Sequence, residues 1–368
     1  MNHPGRQRGF SIVELMVAVT IAIITGVVVL QVLATYEARR RTVTVGNDAE
    51  MSAAVGLYMV ERDVRMAGAG LTTATGLLCG NGINAAYDGD VISDGEPLPF
   101  VRVTDGGDAP DQIEVVRSDS AFGVAPGAVT RAMATAGSDV SVESTVGLRE
   151  GDLFVAASTD GIKRCTLMQV SDAPTKVGNS FDIEHSSAGS PYNPADPAGT
   201  FTNPVLYDVG DAVFNLGTFG LRSFRVVCND GEAPSETNSC VLGAMDAMAG
   251  PDDPTIADLE ALASQVVDFQ VQYGVAPAGS QDVNEWVDAT GTWADPSAAD
   301  QRRIKAIRMA IVTRGNLERE MVSPDTLVLW DRGGPDERTI ALTDDQRFYR
   351  YKVLNVVVPI INQIWAGV

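Results

Sequence analysis

The first pattern in the chain is a long apolar run that begins at Phe10. The 22 residues from Leu15 to Tyr36 contain no ionisable group except the tyrosine at the end. At about 1.5 Å per residue, a helix of this length measures about 33 Å, and a bilayer core is about 30 Å thick. The pattern therefore predicts a membrane-spanning helix.

A second helical pattern follows directly. Apolar residues recur three or four positions apart, at Ala53, Leu57, Val60, Val64 and Ala67. Charged residues fall mostly elsewhere around the helix, at Asp48, Glu50, Glu61, Arg62, Asp63 and Arg65. This spacing is typical of an amphipathic helix. We expect one continuous rod that can bend at Gly26, Gly46 or Gly56 and stops at Gly68 and Gly70. Glu61 and Arg65 are spaced to form an i, i+4 ion pair.

The rest of the chain is rich in turns and short alternating runs. Such alternation predicts half-buried strands. The strands are expected at residues 112–117, 152–157, 163–170, 221–227, 269–275, 304–314 and 347–358. Residues 255–264 are predicted as a short helix, with Thr255 and Asp258 spaced as a capping box. Long loops are expected at residues 71–110, 171–207, 231–254 and 276–301. The fold class is therefore α+β, a long N-terminal helix packed on an antiparallel β-sheet head with long loops.

Charge limits the partners of this head. The chain has 27 Lys and Arg against 48 Asp and Glu, a formal net charge of −21. This charge argues against nucleic acid and anionic lipid as partners for the body of the protein. The densest basic cluster in the head consists of Arg302, Arg303, Lys305 and Arg308, and charges along a strand edge would explain it equally well.

The four cysteines follow the apolar run and are not spaced as metal ligands. Four cysteines allow three connectivities. Pairing of Cys228 with Cys240 is favoured because the two bracket a turn-rich stretch, which leaves Cys79 and Cys165 as the second candidate pair. Four free buried thiols are the alternative.

Catalytic chemistry has little support in the sequence. The only histidines are His3 and His185, so a histidine metal cluster cannot be built. No phosphate-binding glycine loop or dinucleotide motif is present. Acidic groups such as Asp88, Asp90 and Asp94, or Asp344 and Asp345, match solvated turns better than calcium loops. We therefore predict no catalytic residue, metal site, cofactor or nucleotide.

Glu14 is the unusual residue of the apolar run, because a carboxylate inside a membrane segment costs at least about 2.5 kcal/mol and normally has a function. The segment from Gly9 and Phe10 through Glu14 to Leu15 resembles the cleavage motif of type IV prepilins. The resemblance implies that a prepilin peptidase cuts between Gly9 and Phe10 and that the new Phe10 amine is N-methylated. A cationic amine at Phe10 could then neutralise Glu14 of an adjacent subunit and set the register of assembly.

Three further segments resemble the PilW family of minor pilins. They are the Asp63-x-Arg65-x-Ala67-Gly68 run, the strands near residues 262–275 and 304–314, and the C-terminal run up to Pro359. An Arg-Asn pair expected after this proline is replaced by Ile361 and Asn362, which weakens the subfamily assignment. A type IV pilin-like fold is implied.

The resemblance implies a layout of four parts. They are a leader peptide (residues 1–9), a transmembrane helix (10–36), its amphipathic continuation (37–70) and a β-rich periplasmic or extracellular head (71–368). The mature protein would be a single-pass inner-membrane protein with a cytoplasmic N-terminus, and later part of a pilus, at its tip. Its partners would be the prepilin peptidase, other minor pilins, the major pilin and the inner membrane. It would not be an enzyme.

Two alternatives remain open from the sequence. A type II secretion pseudopilin of the J type shares the leader, the long helix and the sheet. A tip adhesin or DNA-capturing pilin would use the long loops to bind a ligand.

Overall fold

A computed structural model describes residues 11–365 except residues 74–75, 119–125, 146, 230–239, 252, 319, 332 and 335–336. The helices are α1 (Ile12–Arg65), α2 (Pro197–Thr200), α3 (Ala298–Gln301) and α4 (Ile361–Trp365), with 3₁₀ turns at Ile256–Asp258, Gly291–Trp293 and Gln346–Phe348. The first strands are β1 (Thr72–Thr73), β2 (Gly76–Leu77), β3 (Ile83–Tyr87), β4 (Asp90–Glu96), β5 (Val101–Thr104), β6 (Gln112–Ser118), β7 (Gly127–Arg131), β8 (Val140–Val142), β9 (Leu153–Ala157), β10 (Cys165–Gln169) and β11 (Thr175–Val177). The others are β12 (Ser180–Ile183), β13 (Ala212–Gly217), β14 (Phe219–Cys228), β15 (Cys240–Asp246), β16 (Glu260–Ser264), β17 (Val266–Val275), β18 (Glu285–Val287), β19 (Ile304–Leu317), β20 (Thr326–Trp330), β21 (Arg338–Ala341) and β22 (Tyr349–Pro359).

Helix α1 is one continuous element of 54 residues. The Ser11 side chain caps its start by accepting a hydrogen bond from the Val13 amide at 3.3 Å. The helix ends at Arg65, and the Met66 amide donates to the carbonyl of Arg62 at 3.2 Å. Gly68 then adopts a φ of +71°, and a Cβ atom there would collide with the Phe100 ring. The predicted glycine stop is confirmed.

Two antiparallel sheets, α1 and one face of a third, larger sheet share the main core. One sheet has the strand order β18-β17-β19-β22, and the other has the order β16-β15-β14-β6-β5. Helix α1 packs on β16, β19 and β22. The predicted apolar series is buried throughout, at Ala53, Leu57, Val60, Val64 and Ala67. The amphipathic prediction is confirmed on this face of α1.

A nine-stranded sheet occupies most of the middle of the chain. Its strand order is β11-β12-β8-β7-β13-β9-β10-β3-β4. Strands β10 and β3 pair in parallel, and all other neighbouring strands of this sheet pair antiparallel. It has its own apolar core around Phe154, Ile183 and Tyr207. A separate hairpin of β20 and β21 builds a third core over β19. The body is therefore sheet-rich with several antiparallel sheets, where the sequence suggested one.

Each predicted strand coincides with an observed strand to within a few residues. Other expectations are wrong. Residues 255–264 form only the 3₁₀ turn Ile256–Asp258 and then strand β16, although the Thr255–Asp258 capping box is present. The predicted loops at 71–110, 171–207, 231–254 and 276–301 all contain strands.

Both predicted disulfides are present. Cys228 and Cys240 lie opposite each other on β14 and β15, with Cα atoms 4.0 Å apart. Cys79 and Cys165 join the segment after β2 to the start of β10, with Cα atoms 5.5 Å apart.

Candidate functional site

Glu14 lies in the first turn of α1. The unpaired amides and the dipole of a helix N-terminus favour a carboxylate at this position. The side chain is exposed in the isolated chain and is therefore free to meet a group from another molecule. Gly9 and Phe10, the predicted processing residues, lie outside the described residues.

Residues Ile12–Ala34 form a 23-residue segment that is long and apolar enough to cross a membrane, and none of it is buried by the head. Two polar side chains within it bond to their own helix. Thr20 Oγ1 donates to the Met16 carbonyl at 2.7 Å, and Thr25 Oγ1 donates to the Ile21 carbonyl at 2.8 Å. Satisfied hydroxyls of this kind are compatible with an apolar environment.

The half of α1 beside the head carries a second apolar surface that faces away from the sheets. Met51, Val55, Tyr58 and Met66 form this stripe and are between 52% and 69% exposed. Their spacings of four, three and eight residues place them on one helical face, where Arg62 is the intervening position. We call these four residues the outer stripe. Such a ridge suits packing against another helix.

Asp63 was predicted to lie on the polar, solvent-facing side of the helix, but it is buried. Its Oδ2 atom lies 3.0 Å from Nη1 of Arg222 on β14, and Arg222 also contacts Glu260 on β16. Asp63 therefore links α1 to two strands of the five-stranded sheet. The adjacent Glu61–Arg65 pair forms as predicted and lies nearer the solvent.

Asn362 contacts the C-terminal end of the same helix. Its Nδ2 atom donates to the carbonyl of Ala67 at 2.9 Å and lies 3.4 Å from that of Met66. Carbonyls at a helix C-terminus lack partners within the helix, so this amide satisfies part of that need. The sequence left Asn362 unexplained because the contact spans 295 residues of chain.

Gly56 allows strand β16 to approach α1 closely. A Cβ atom at this position would lie 2.9 Å from Cβ of Ala263 and 3.3 Å from the Leu262 carbonyl oxygen. The sequence suggested a bend here, whereas the glycine is required for close packing.

The predicted basic cluster does not form an open cationic surface. Lys305 and Arg308 are buried. Arg308 lies between the rings of Trp286 and Trp330, at 4.9 and 4.7 Å from their centroids, and it contacts Asp331. These contacts are structural cation–π and ion-pair interactions. A nucleic acid would find only part of the cluster accessible.

The remaining polar candidates have structural partners. His185 is buried, with Nε2 2.8 Å from the Ser138 carbonyl oxygen. Hydrogen bonds from Thr202 lower the pKa of Asp94, which also lies 3.5 Å from Arg164. No group of three or more potential metal ligands occurs among the residues that the structure describes.

One buried carboxyl group has a strongly shifted pKa. Asp111 accepts hydrogen bonds from the amides of Gly106 and Val271, at 2.8 and 2.7 Å. Burial nevertheless raises its pKa to about 7, and the nearby Asp105 and Asp268 add to the rise. The Asp111 side chain links the loop at Gly106 to Val271 of β17, and it lies in the sheet core, away from the exposed faces of α1.

Comparison with protein families gives two matches. Residues 4–30 match the prokaryotic N-terminal methylation motif, and residues 243–362 match the family of type IV pilus-assembly protein W, PilW. The first match covers the beginning of α1 and the second covers β16, β17, β19 and β22, which pack against it or beside it. No curated protein matches the chain.

These matches confirm the resemblance found in the sequence, and they support membrane anchoring together with association with a pilus. Pilin-type families are structural proteins rather than enzymes. The chain is thus similar, over these two segments, to the type IV pilus-assembly protein W family and to the prokaryotic N-terminal methylation motif.

Proposed function

We propose that the chain is a minor pilin that takes part in pilus assembly, within a priming or tip complex. Residues 1–9 are the leader, residues 10–36 the membrane helix, residues 37–70 its amphipathic continuation and residues 71–368 the head. The N-terminus lies in the cytoplasm and the head in the periplasm until the subunit enters the pilus. Prepilin peptidase, other minor pilins and the major pilin are its partners.

The observation that carries this proposal is the excess of apolar surface on α1. The membrane segment Ile12–Ala34 is exposed throughout, and the outer stripe adds a second exposed apolar surface on the part of α1 beside the head. At about 25 cal/mol per Å², burying even part of this surface against neighbouring helices contributes several kcal/mol. A subunit that remained alone would leave the outer stripe in water.

Glu14 gives the assembly its register. A carboxylate in the apolar layer needs a partner, and the methylated Phe10 amine of an adjacent subunit supplies one. Loss of either charge leaves the other buried without compensation.

The first test is the mature N-terminus. The full chain should be expressed with its cognate peptidase, and the product analysed by intact mass and N-terminal sequencing. We expect a chain that begins at Phe10 with one added methyl group, and a Gly9→Val variant that keeps its leader. A wild-type chain that keeps its leader, or one cut beyond Ala34, would contradict the proposal.

The second test addresses the outer stripe. Tyr58→Asp places a charge in the middle of the stripe and should sharply reduce the number of surface pili, while cleavage and both disulfides remain normal. Tyr58→Leu keeps the surface apolar and should assemble as the wild type does. Equal piliation with Asp and Leu at this position would show that the outer stripe makes no assembly contact.

A further inference from the structure

Strand β22 forms an open edge of the four-stranded sheet. It is the last strand in the order β18-β17-β19-β22, and β19 pairs with it on one side. The Ile360 amide donates to the Lys305 carbonyl at 2.9 Å, and such bonds recur at every second residue of an antiparallel pair. The amides that point away from β19 are therefore those of Tyr351, Val353, Asn355 and Val357.

These four amides have no acceptor within the part of the chain that the structure describes. The carbonyl groups of the same residues also point away from β19, since both backbone polar groups of a residue in an antiparallel strand lie on one side. Residues 351–357 thus present a row of alternating donors and acceptors, about 20 Å long at about 3.4 Å per residue. We call this row the β22 edge. Water can satisfy its groups one at a time, but the complementary row is the backbone of another extended segment.

The side chains of β22 leave this edge unprotected. Residues 353–358 read Val-Leu-Asn-Val-Val-Val and contain no charge. The register with β19 is unbroken from Pro359 to Tyr351, and Val357 is 56% exposed. Edge strands normally carry charges, bulges or prolines that prevent pairing with another chain. The one proline of β22 lies at its end, beyond the β22 edge.

The other edges of the three larger sheets are protected within the described chain. Strands β5, β11 and β18 have only four, three and three residues. Strand β4 has two register shifts against β3 and contains Asp90, Asp94 and Glu96. Strand β16 has a register shift against β15 and packs on α1. The β22 edge is therefore the exception, and an edge of this kind is a site for pairing with another chain.

A second copy of the chain does not fit this edge in a membrane. Lys352 pairs with Glu50 at 3.0 Å, and Asn362, just beyond β22, bonds to the Ala67 carbonyl at 2.9 Å, so β22 runs in the same direction as α1. Two copies inserted in one membrane have parallel α1 helices, and a symmetric pair is related by a two-fold axis along both helices. That axis would place each outward amide opposite the same amide of the other copy, and the hydrogen bonds could not form.

We propose that the β22 edge pairs with an extended, uncharged segment of a different pilus subunit. The pairing continues the four-stranded sheet into that subunit through backbone hydrogen bonds, and the valines of β22 favour β-branched side chains beside them. The inference rests on the proposed place of the chain in a pilus. It adds a contact on the sheet that is separate from the outer stripe on α1.

Hydrogen exchange tests the β22 edge in the full mature chain. The chain is purified in detergent, both alone and after coexpression with the other pilus subunits of its own cell, and exchange is read at single residues by mass spectrometry. In the chain alone, the amides of Asn355 and Val357 should exchange quickly, and those of Val356 and Val358, which face β19, should exchange slowly. In the complex, the exchange of Asn355 and Val357 should become at least about tenfold slower.

Substitutions at Val357 test whether this edge holds the complex together. Val357→Pro removes an outward amide, and proline is tolerated at such positions of edge strands. Val357→Lys keeps the amide but places a charge at the edge, and Val357→Ile is the matched control. We expect the proline and lysine variants to keep both disulfides and to reduce the yield of complex about tenfold, while the isoleucine variant matches the wild type. The lysine variant decides the test if the proline variant does not fold.

Three results would overturn the inference and leave the proposed function standing. They are fast exchange of Asn355 and Val357 in a complex that does form, a normal yield of complex with Val357→Lys, and slow exchange of the same two amides in the chain alone. In the last case, a dependence on chain concentration would identify a second copy as the occupant. A chain that binds no other pilus subunit would reject the proposed function and this inference together.

Discussion

Asp63 shows what single buried charges contribute to the attachment of α1. Replacing it by Asn leaves the Arg222 guanidinium buried with only the exposed Glu260 as a partner. Breaking a buried pair costs about 3 kcal/mol or more. We therefore expect Asp63→Asn to lower the free energy of unfolding by about 3 kcal/mol, as measured by denaturant unfolding in detergent.

The matched control for this change is Glu61→Gln, two residues away on the same helix. Its pair with Arg65 is an exposed i, i+4 pair, worth about 0.3–0.5 kcal/mol. Equal losses for the two variants would mean that the Asp63 pair is no stronger than a surface pair.

Gly56 leads to a second prediction at this scale. Alanine normally stabilises a helix interior by about 1 kcal/mol relative to glycine. At position 56 the new methyl group would meet Ala263 at 2.9 Å and force α1 and β16 apart, which costs about 1–3 kcal/mol. We expect Gly56→Ala to reduce the melting temperature of the head, and Gly26→Ala, which has open space around it, to leave that temperature unchanged. A gain in melting temperature for Gly56→Ala would show that the helix and strand can separate at little cost.

The sequence could not predict these residue contacts, although it predicted α1 and β14, which carry the Asp63–Arg222 pair. Ala53, Leu57 and Val64 were predictable because burial on a helix follows a local period. The partners of Asp63 and Asn362 lie 159 and 295 residues away, and no local period encodes such distances.

The two disulfides should stabilise the head by different amounts, because they close loops of different length. Cys79 and Cys165 are 86 residues apart, while Cys228 and Cys240 are 12 apart. Loop-closure entropy assigns about 4–5 kcal/mol to the longer loop and about 3 kcal/mol to the shorter one. We expect Cys79→Ala with Cys165→Ala to destabilise the head more than Cys228→Ala with Cys240→Ala, measured by thermal unfolding under oxidising conditions. The reverse order would mean that the nine-stranded sheet unfolds independently of the remaining head.

Seven strands could be predicted from apolar or alternating runs, whereas strands without a buried face, such as β11, could not. Strands β6 and β19 could be read from their apolar runs, and the structure confirms them. Strand β9 is buried on both faces and was predicted from its continuous apolar run, whereas β11 is exposed on both faces and offers no such run. Strand β16 has the helix-forming sequence Glu-Ala-Leu-Ala-Ser, but pairing with β15 and packing on α1 override that preference.

At the scale of the whole molecule, stability should depend on the proton held by Asp111. Its pKa in the folded head is about 7, against about 3.9 in an unfolded chain. The folded state therefore binds this proton more tightly, and the resulting stability is present at low pH and is lost as pH rises from about 4 through about 7. Carboxyl groups whose pKa is lowered in the folded head, such as Asp94 and Asp258, contribute stability that is lost as pH falls, and this loss occurs only below about pH 4.

The measurement is the free energy of unfolding between about pH 5 and about pH 8. The wild type should lose up to about 1.4 kcal/mol per pH unit over the lower part of this range. Asp111→Asn should flatten this dependence, whatever its absolute stability. An unchanged slope in the variant would assign the titration to another group, such as Asp268, whose pKa is also raised by burial.

The contact between Asn362 and the end of α1 has a consequence for the order of events during biogenesis. The apolar face of α1 is made early in synthesis, but β19, β22 and α4, which cover and cap it, are made only after all strands of the nine-stranded sheet. A chain that has not yet emerged completely must therefore expose Val60 and Val64 to solvent or to a chaperone. Complete docking of α1 thus requires that synthesis has passed Asn362, and a chain truncated before residue 304 would remain unfolded at this face and open to proteolysis.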